Sequence, residues 1–368
     1  MDGLWSAASD HRPEGPTEPG LHHSAAGAEG AEGVDGVDAV EAEAPRWTRH
    51  AWTAVRLSAA LAGLAATAYL VRREGLGAVA DAVDLALPVL PQVMALELGR
   101  LCCETLATRT SLGERGRAVP LLRLVAGQLV AHAMLNVAPA GRTTGEVTKA
   151  ALISRWVGGA EAAAAASVMQ AATFVGVGLV SAACAAGAFL VAGPQVLFWL
   201  LVGNACALLL LGVGLRTLLG SAWLVGLVRR RLPRQQGRLA RFQEGVRGGD
   251  PLALGPAAFL ALGMGCQVLQ MAVLASAVGA RTGAASALAA QGVHLVTATA
   301  AVFVPGQLGA REAAFSLAAD TLGTTPARAA SIAVCVHLSQ LALASVGFVT
   351  LLVWRSRQPR SGGQALPA

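Results

Sequence analysis

Apolar stretches of about 20 residues, the length that crosses a hydrocarbon core of roughly 30 Å, recur along this chain. They fall at 52–71, 84–104, 120–138, 162–188, 194–219, 255–279, 285–304 and 328–354. The pattern predicts an all-α fold, a polytopic transmembrane bundle with about eight strong spans. Two weaker segments interrupt it, Pro139 to Arg155 and Pro305 to about residue 323, both opening with Pro and Gly and carrying charge. Trp47 and Trp52 flank the first stretch and Trp354 ends the last, as interfacial anchors do. Residues 1–45 read as a disordered acidic Gly/Ala-rich tail, 46–355 as the membrane domain, and 356–368 as a short cytoplasmic tail.

Composition agrees with that division. Hydrophobic residues make up 54% of the chain and charged ones 14%, with mean hydropathy +0.56, whereas a soluble domain is about a quarter charged. Ten of the 22 acidic residues precede residue 45, so the overall +6 conceals a membrane region near +15. The arginines flank apolar stretches, which is topogenic charge and excludes a nucleic-acid-binding reading of the high pI. The most basic segment, Arg229-Arg230-Arg231-Leu232-Pro233-Arg234, reads as a cytoplasmic loop against anionic headgroups. The six cysteines all lie in apolar segments without a CxxC spacing, and read as packing residues.

The charge pattern then sets a parity problem. A positive-inside bias places the N-terminal tail, the arginine-rich loop and the C-terminal tail on one side. Five strong stretches precede the loop and three follow it, so each half lacks one passage across the membrane. Each half also contains one of the weak segments. Both begin with Pro and then Gly, and both place a glutamate seven residues after the Pro, Glu146 and Glu312. If each segment carries the chain back, as a span or as paired half-helices, parity is restored and the two motifs run in opposite directions, an inverted repeat with broken helices. Re-entry with one misplaced charge cluster is the alternative.

These segments also hold the candidate chemistry. Lys149 is the only lysine in the chain, and Arg142, Glu146 and Lys149 share one helix face at i, i+4 and i+7. Ionisable residues at membrane depth are costly and mark sites by default. Pro139, Gly141 and Gly145 in the first motif, and Pro305, Gly306 and Gly309 in the second, would shape broken helices whose N-termini attract anions. Arg142, Lys149 and Arg311 would hold a phosphate, and Glu146 and Glu312 would balance charge or meet an amine. A structural ion-pair network holding the broken helices together explains the same residues. His132 and Asn136, the stripe Gln291, His294 and Thr297, and the pair His337 and Gln340 read as interhelical hydrogen-bonding groups. Glu97, Arg100 and Glu104 read as an interfacial salt-bridge set. No metal spacing, GxSxG or phosphate-binding glycine loop occurs, so neither a metal nor another cofactor is expected and no catalytic residue is assigned.

The P-x-G-R-x-x-G-E run at Pro139–Glu146, with Lys149 following, resembles the lysylphosphatidylglycerol synthase transmembrane region family, as does P-G-x-L-G-x-x-E at Pro305–Glu312. The resemblance covers roughly residues 50–355. It implies a flippase-like protein of the bacterial cytoplasmic membrane that binds and translocates an anionic or zwitterionic phospholipid or lipid-linked intermediate. Its termini would be cytoplasmic, its partners anionic membrane lipids, and a lipid-modifying enzyme a further partner. The soluble aminoacyl-transferase domain of the full-length enzymes is not expected here. A membrane-embedded transferase or accessory subunit acting on lipid-linked sugars, and an ion-coupled small-solute transporter, are the other readings.

Overall fold

The computed structural model describes residues 80–81, 84–138, 141–221, 226, 236–247, 254–302 and 304–356. The apolar stretch at 52–71, the acidic tail, Trp47, Trp52, Pro139, the 229–234 arginine run and residues 357–368 lie outside them. The described residues form helices α1 (Leu90–Ser111), α2 (Leu121–Val137), α3 (Gly141–Val157), α4 (Gly159–Ala192), α5 (Val196–Gly220), α6 (Gln236–Arg247), α7 (Leu254–Ala277), α8 (Ala284–Ala300), α9 (Ala310–Leu317), α10 (Ala319–Leu322) and α11 (Pro326–Ser356). Among the described residues, five helices are long and apolar enough to cross a membrane: α1 with the helical residues before it, α4, α5, α7 and α11. The chain is an all-α, multi-pass membrane protein.

The stretches at 120–138 and 285–304, expected as full spans, are instead the 17-residue helices α2 and α8, each about 25 Å long. Both are outer arms of hairpins. The next helix, α3, runs antiparallel along α2, with Gly141 against Leu135, Gly145 against Ala131 and Lys149 against Gly127. A β-carbon on Gly145 would stand 2.6 Å from the Ala131 carbonyl oxygen, so a larger residue would force the arms apart. In the second half α8 descends to a turn at Pro305–Gln307, and α9 and α10 return. The Arg281 amide just before α8 donates to Leu322 O at 2.9 Å, which ties the two ends of this hairpin together.

The two hairpins point at each other from opposite ends of the bundle. At one end lie the base of the first hairpin, the start of α4 and the ends of α5 and α11. Arg115 reaches Glu161 at 3.5 Å there, Arg216 donates to Val246 O, and Trp156 packs edge-on against Trp354. At the other end lie the base of the second hairpin and the far end of α4, where Gly187 packs against Leu288. The tip residue Arg142 donates to Thr173, near the middle of the 34-residue α4. Both hairpins therefore turn back halfway through the bundle. Each half repeats one order, a long helix, a hairpin and a long helix: α1, α2–α3, α4, then α7, α8–α10, α11.

Two re-entrant hairpins contribute no net crossing, so the weak segments do not carry the chain across as expected; each is the returning arm of a hairpin whose first arm is an apolar stretch. The ends also differ in charge. By their positions in these elements, Arg115, Arg117, Arg123, Arg155, Arg216 and Arg247 outnumber Glu114, Glu161 and Glu244 at the first end, whereas Arg281 and Arg328 are matched by Asp84 and Asp320 at the other. Trp354, expected as an interfacial anchor, is buried: the guanidiniums of Arg123 and Arg155 lie over its ring at 4.9 and 5.4 Å. The largest core cluster surrounds the second hairpin and is built from small residues, Ala289, Ala290, Ala329 and Ala333, around Phe315 and Ile332. Close approach of small residues is how helices associate where no hydrophobic effect separates protein from lipid.

Candidate functional site

Between the two hairpin tips lies a cavity of about 180 Å³. The first hairpin gives it Asn136 and Arg142, the second gives Gly306, Gln307 and Arg311, and the long helices give Arg100, Glu104, Thr173, Gln267 and Gln340. Val177, Leu208, Leu260 and Met264 line its apolar side. Arg142 and Arg311, 169 residues apart in sequence, thus face one space.

Their surroundings leave both guanidiniums under-used. Arg311 is 3% exposed. It donates from Nη1 to Gln340 Oε1 at 2.9 Å and from Nη2 to Gln307 Oε1 at 2.8 Å, both neutral acceptors, and its Nε has no partner. Arg142 donates to Thr173 Oγ1 at 3.0 Å and lies 3.8 Å from Glu104, and its Nε is likewise unpaired. Buried donors without acceptors are costly.

Lys149 and the two motif glutamates stand behind the cavity. The Lys149 ammonium, 2% exposed, donates to Thr108 Oγ1 at 2.9 Å, Gln128 Oε1 at 3.0 Å and Glu146 Oε1 at 2.9 Å. Three donors meet three acceptors, and no hydrogen is left for a ligand. Glu146 borders only a narrower space of about 20 Å³ beside Arg142. Glu312 accepts from the Gly309 amide at 2.8 Å, which caps α9, and contacts His337 Nδ1 at 2.7 Å. The other ring nitrogen, Nε2, stands 2.9 Å from Gly306 O. His337 thus clamps a turn in which Gly306 and Gln307 both adopt left-handed backbone, φ 59° and 57°. Such a conformation suits glycine and strains glutamine, and the clamp holds it.

Glu97, Arg100 and Glu104, expected at the interface, line the inner face of α1 instead. Glu97 is fully buried, Arg100 donates to it at 2.7 Å and to Glu104, and Gln128 donates to Glu104 Oε2 at 2.6 Å. Arg100 also approaches His132 Nδ1 at 3.2 Å. This chain of charges joins α1 to both arms of the first hairpin. The first motif thus carries an ion-pair network and, through Arg142, one wall of the cavity. Thr173, Gln267 and Gln307 were not singled out by sequence; Gln267 had a signal, an amide in the middle of an apolar stretch.

Among the described residues no three His, Cys, Asp or Glu side chains gather as a metal site, and all six cysteines are free. No curated protein and no solved structure matches the chain. Residues 52–347, more than half of the chain, match the family model described as the lysylphosphatidylglycerol synthase TM region, and the chain belongs to that family.

Proposed function

We propose that the central cavity binds the headgroup of an anionic or zwitterionic phospholipid, or of a lipid-linked intermediate, and that the protein moves it between leaflets. The single observation behind this reading is the convergence of Arg142 and Arg311, one from each opposed hairpin, each with an unpaired Nε. Two planar guanidiniums match a phosphate's oxygens. The helix starts of α3 and α9 add their positive dipole ends. Lys149, Glu146 and Glu312 hold the hairpins in register rather than touching the ligand. The basic end sits in the cytoplasm of a bacterial inner membrane, and the site lies between hairpins opening toward opposite faces, the arrangement alternating access needs.

Protein purified in mild detergent and analysed by mass spectrometry tests the binding. Arg142→Gln and Arg311→Gln should each retain about tenfold less phospholipid than the parent, the scale of a lost charge-assisted hydrogen bond. Unchanged retention in both removes the cavity from the function. Transport is read separately in proteoliposomes carrying an acyl-labelled fluorescent phospholipid. Dithionite should bleach more than the outer-leaflet fraction with the parent and only that fraction with Arg311→Gln.

A further inference from the structure

The base of the first hairpin holds a second pair of guanidiniums. Arg123 stands in the first turn of α2, Arg155 in the last turn of α3, and Trp354 near the end of α11. Both guanidiniums lie over the Trp354 ring, at 4.9 and 5.4 Å from its centre, and Arg155 lies 3.8 Å from the centre of Trp156. The two rings meet edge-on at 6.0 Å. Three elements thus join in one stack of cations and rings. It stands apart from the cavity, because Arg155 is about 20 Å along α3 from Arg142.

No acid balances this pair. The ion pairs among the described residues engage Arg100, Arg115, Arg142, Lys149 and His337, and neither Arg123 nor Arg155 takes part in one. Glu161, at the same end, is taken by Arg115 at 3.5 Å. Within the described residues neither Arg123 nor Arg155 donates a side-chain hydrogen bond. Like charges side by side repel, and the positive end of the α2 dipole disfavours Arg123 further. Attraction to the ring faces holds both guanidiniums in place and leaves their N–H groups unused.

Two planar forks with no carboxylate between them match an oxyanion with several oxygens, a phosphate above all. The neighbours favour a phosphate that carries acyl chains. Leu121 and Leu122, next to Arg123, are exposed, as are Val349 and Leu352 on the last turns of α11. Basic pockets between membrane helices bind lipid headgroups, and indole rings sit at headgroup level.

We infer that Arg123 and Arg155 form a second anion site, which takes the phosphate of an anionic phospholipid and pins the base of the first hairpin to α11. The rings preset the two forks, and the phosphate bridges them. This lipid stays at the basic end of the bundle and does not enter the cavity. A soluble phosphate has the same chemistry without the chains.

The test follows the fluorescence of Trp156 and Trp354 in the full chain with its other five tryptophans changed to phenylalanine. The protein is reconstituted in phosphatidylcholine vesicles containing a share of acyl-brominated phosphatidylglycerol or acyl-brominated phosphatidylcholine, since bromine quenches only rings it approaches closely. Brominated phosphatidylglycerol should reach half-maximal quenching at an about tenfold lower mole fraction, the scale of a charge-assisted hydrogen bond. Arg123→Gln with Arg155→Gln should abolish that preference. Arg123→Lys with Arg155→Lys should keep part of it, since charge survives without the fork. Arg142→Gln with Arg311→Gln should leave it unchanged. Equal quenching by the two lipids, or a preference that survives Arg123→Gln with Arg155→Gln, overturns the inference and leaves the central cavity as it was. If millimolar inorganic phosphate removes the preference, the anion site stands and the lipid as its occupant falls. Native mass spectrometry reads the same site with all seven tryptophans in place. A chain with Arg142→Gln and Arg311→Gln should still carry phosphatidylglycerol in preference to phosphatidylcholine, and adding Arg123→Gln and Arg155→Gln should remove it. Retention of that lipid in the fourfold variant overturns the inference.

Discussion

The carbonyl oxygen of Asn136, in the last turn of α2, faces Gly306 so closely that a β-carbon on that glycine would stand 3.0 Å away. This is where the two hairpin tips touch, and the contact fixes the height at which Arg142 and Arg311 meet. Gly306 also needs its left-handed φ of 59°.

Replacing Gly306 should therefore weaken the fold. Gly306→Ala adds a crowded β-carbon to a backbone that L-residues avoid, at a cost of about 1 kcal/mol or more. Gly203→Ala, in the middle of α5 with open space around it, should be neutral or stabilising by a few tenths of a kcal/mol, since alanine favours helix. Thermal unfolding in detergent compares them. Equal midpoints would mean that the tips do not bear on one another.

Lys149 should behave as a buried structural cation. Lys149→Met leaves Glu146 uncompensated and takes the donor away from Thr108 Oγ1 and Gln128 Oε1, and breaking a buried pair costs about 3–5 kcal/mol. Adding Glu146→Gln removes the stranded charge and should recover part of the loss. Lipid retained per folded protein should stay at the parental level in the double variant. Lost retention at restored stability would move Lys149 into the site.

Much of this fold was legible because its long helices are long and apolar, and length alone distinguishes α4, α5, α7 and α11 from soluble elements. Hydropathy could not separate α2 and α8 from full spans, because a 17-residue arm is as apolar as a crossing; only the packing of Gly145 against Ala131 and the meeting of the tips reveals a return. Parity pointed to one further crossing in each half, whereas the described hairpins turn one apolar stretch back in each. In the site, the Pro/Gly motifs pointed to Arg142 and Arg311, since charge beside a broken helix is rare. The same rarity drew Lys149 forward, although its three acceptors lie on α1, α2 and α3 and are brought together only by the fold. Glu97 to Glu104 looked interfacial because α1 extends past the hairpin tip, so a position near the end of an apolar stretch is midway along the bundle.

Glu312 should hold His337 by hydrogen bonding rather than by charge. Nδ1 faces Glu312 and Nε2 faces the Gly306 carbonyl, two acceptors, whereas a neutral histidine has a single N–H. Glu312→Gln supplies the missing donor to Nδ1 and keeps an oxygen for the Gly309 amide, so its stability should stay near the parent's. Glu312→Ala loses both bonds and should be less stable by about 2 kcal/mol. If Gln is as damaging as Ala, the carboxylate's charge and not its hydrogen-bonding pattern holds the turn.

The opposed hairpins make the last prediction, which reads topology from the hairpin bases because both tips lie inside the bundle. Gly159, at the start of α4 beside the first hairpin's base, has nothing within 4 Å of a built β-carbon, and Asp320, beside the second hairpin's base, is exposed. In a chain with its native cysteines replaced by alanine or serine, Gly159→Cys and Asp320→Cys are each treated with an impermeant maleimide in intact cells and in inverted membrane vesicles. Asp320→Cys should label in intact cells and Gly159→Cys in inverted vesicles, because the arginine-rich end stays in the cytoplasm. Labelling the other way round would keep the hairpins opposed and reverse the orientation. Labelling of both from one face would end the inverted arrangement, since two hairpins entering from the same side cannot meet tip to tip at mid-depth.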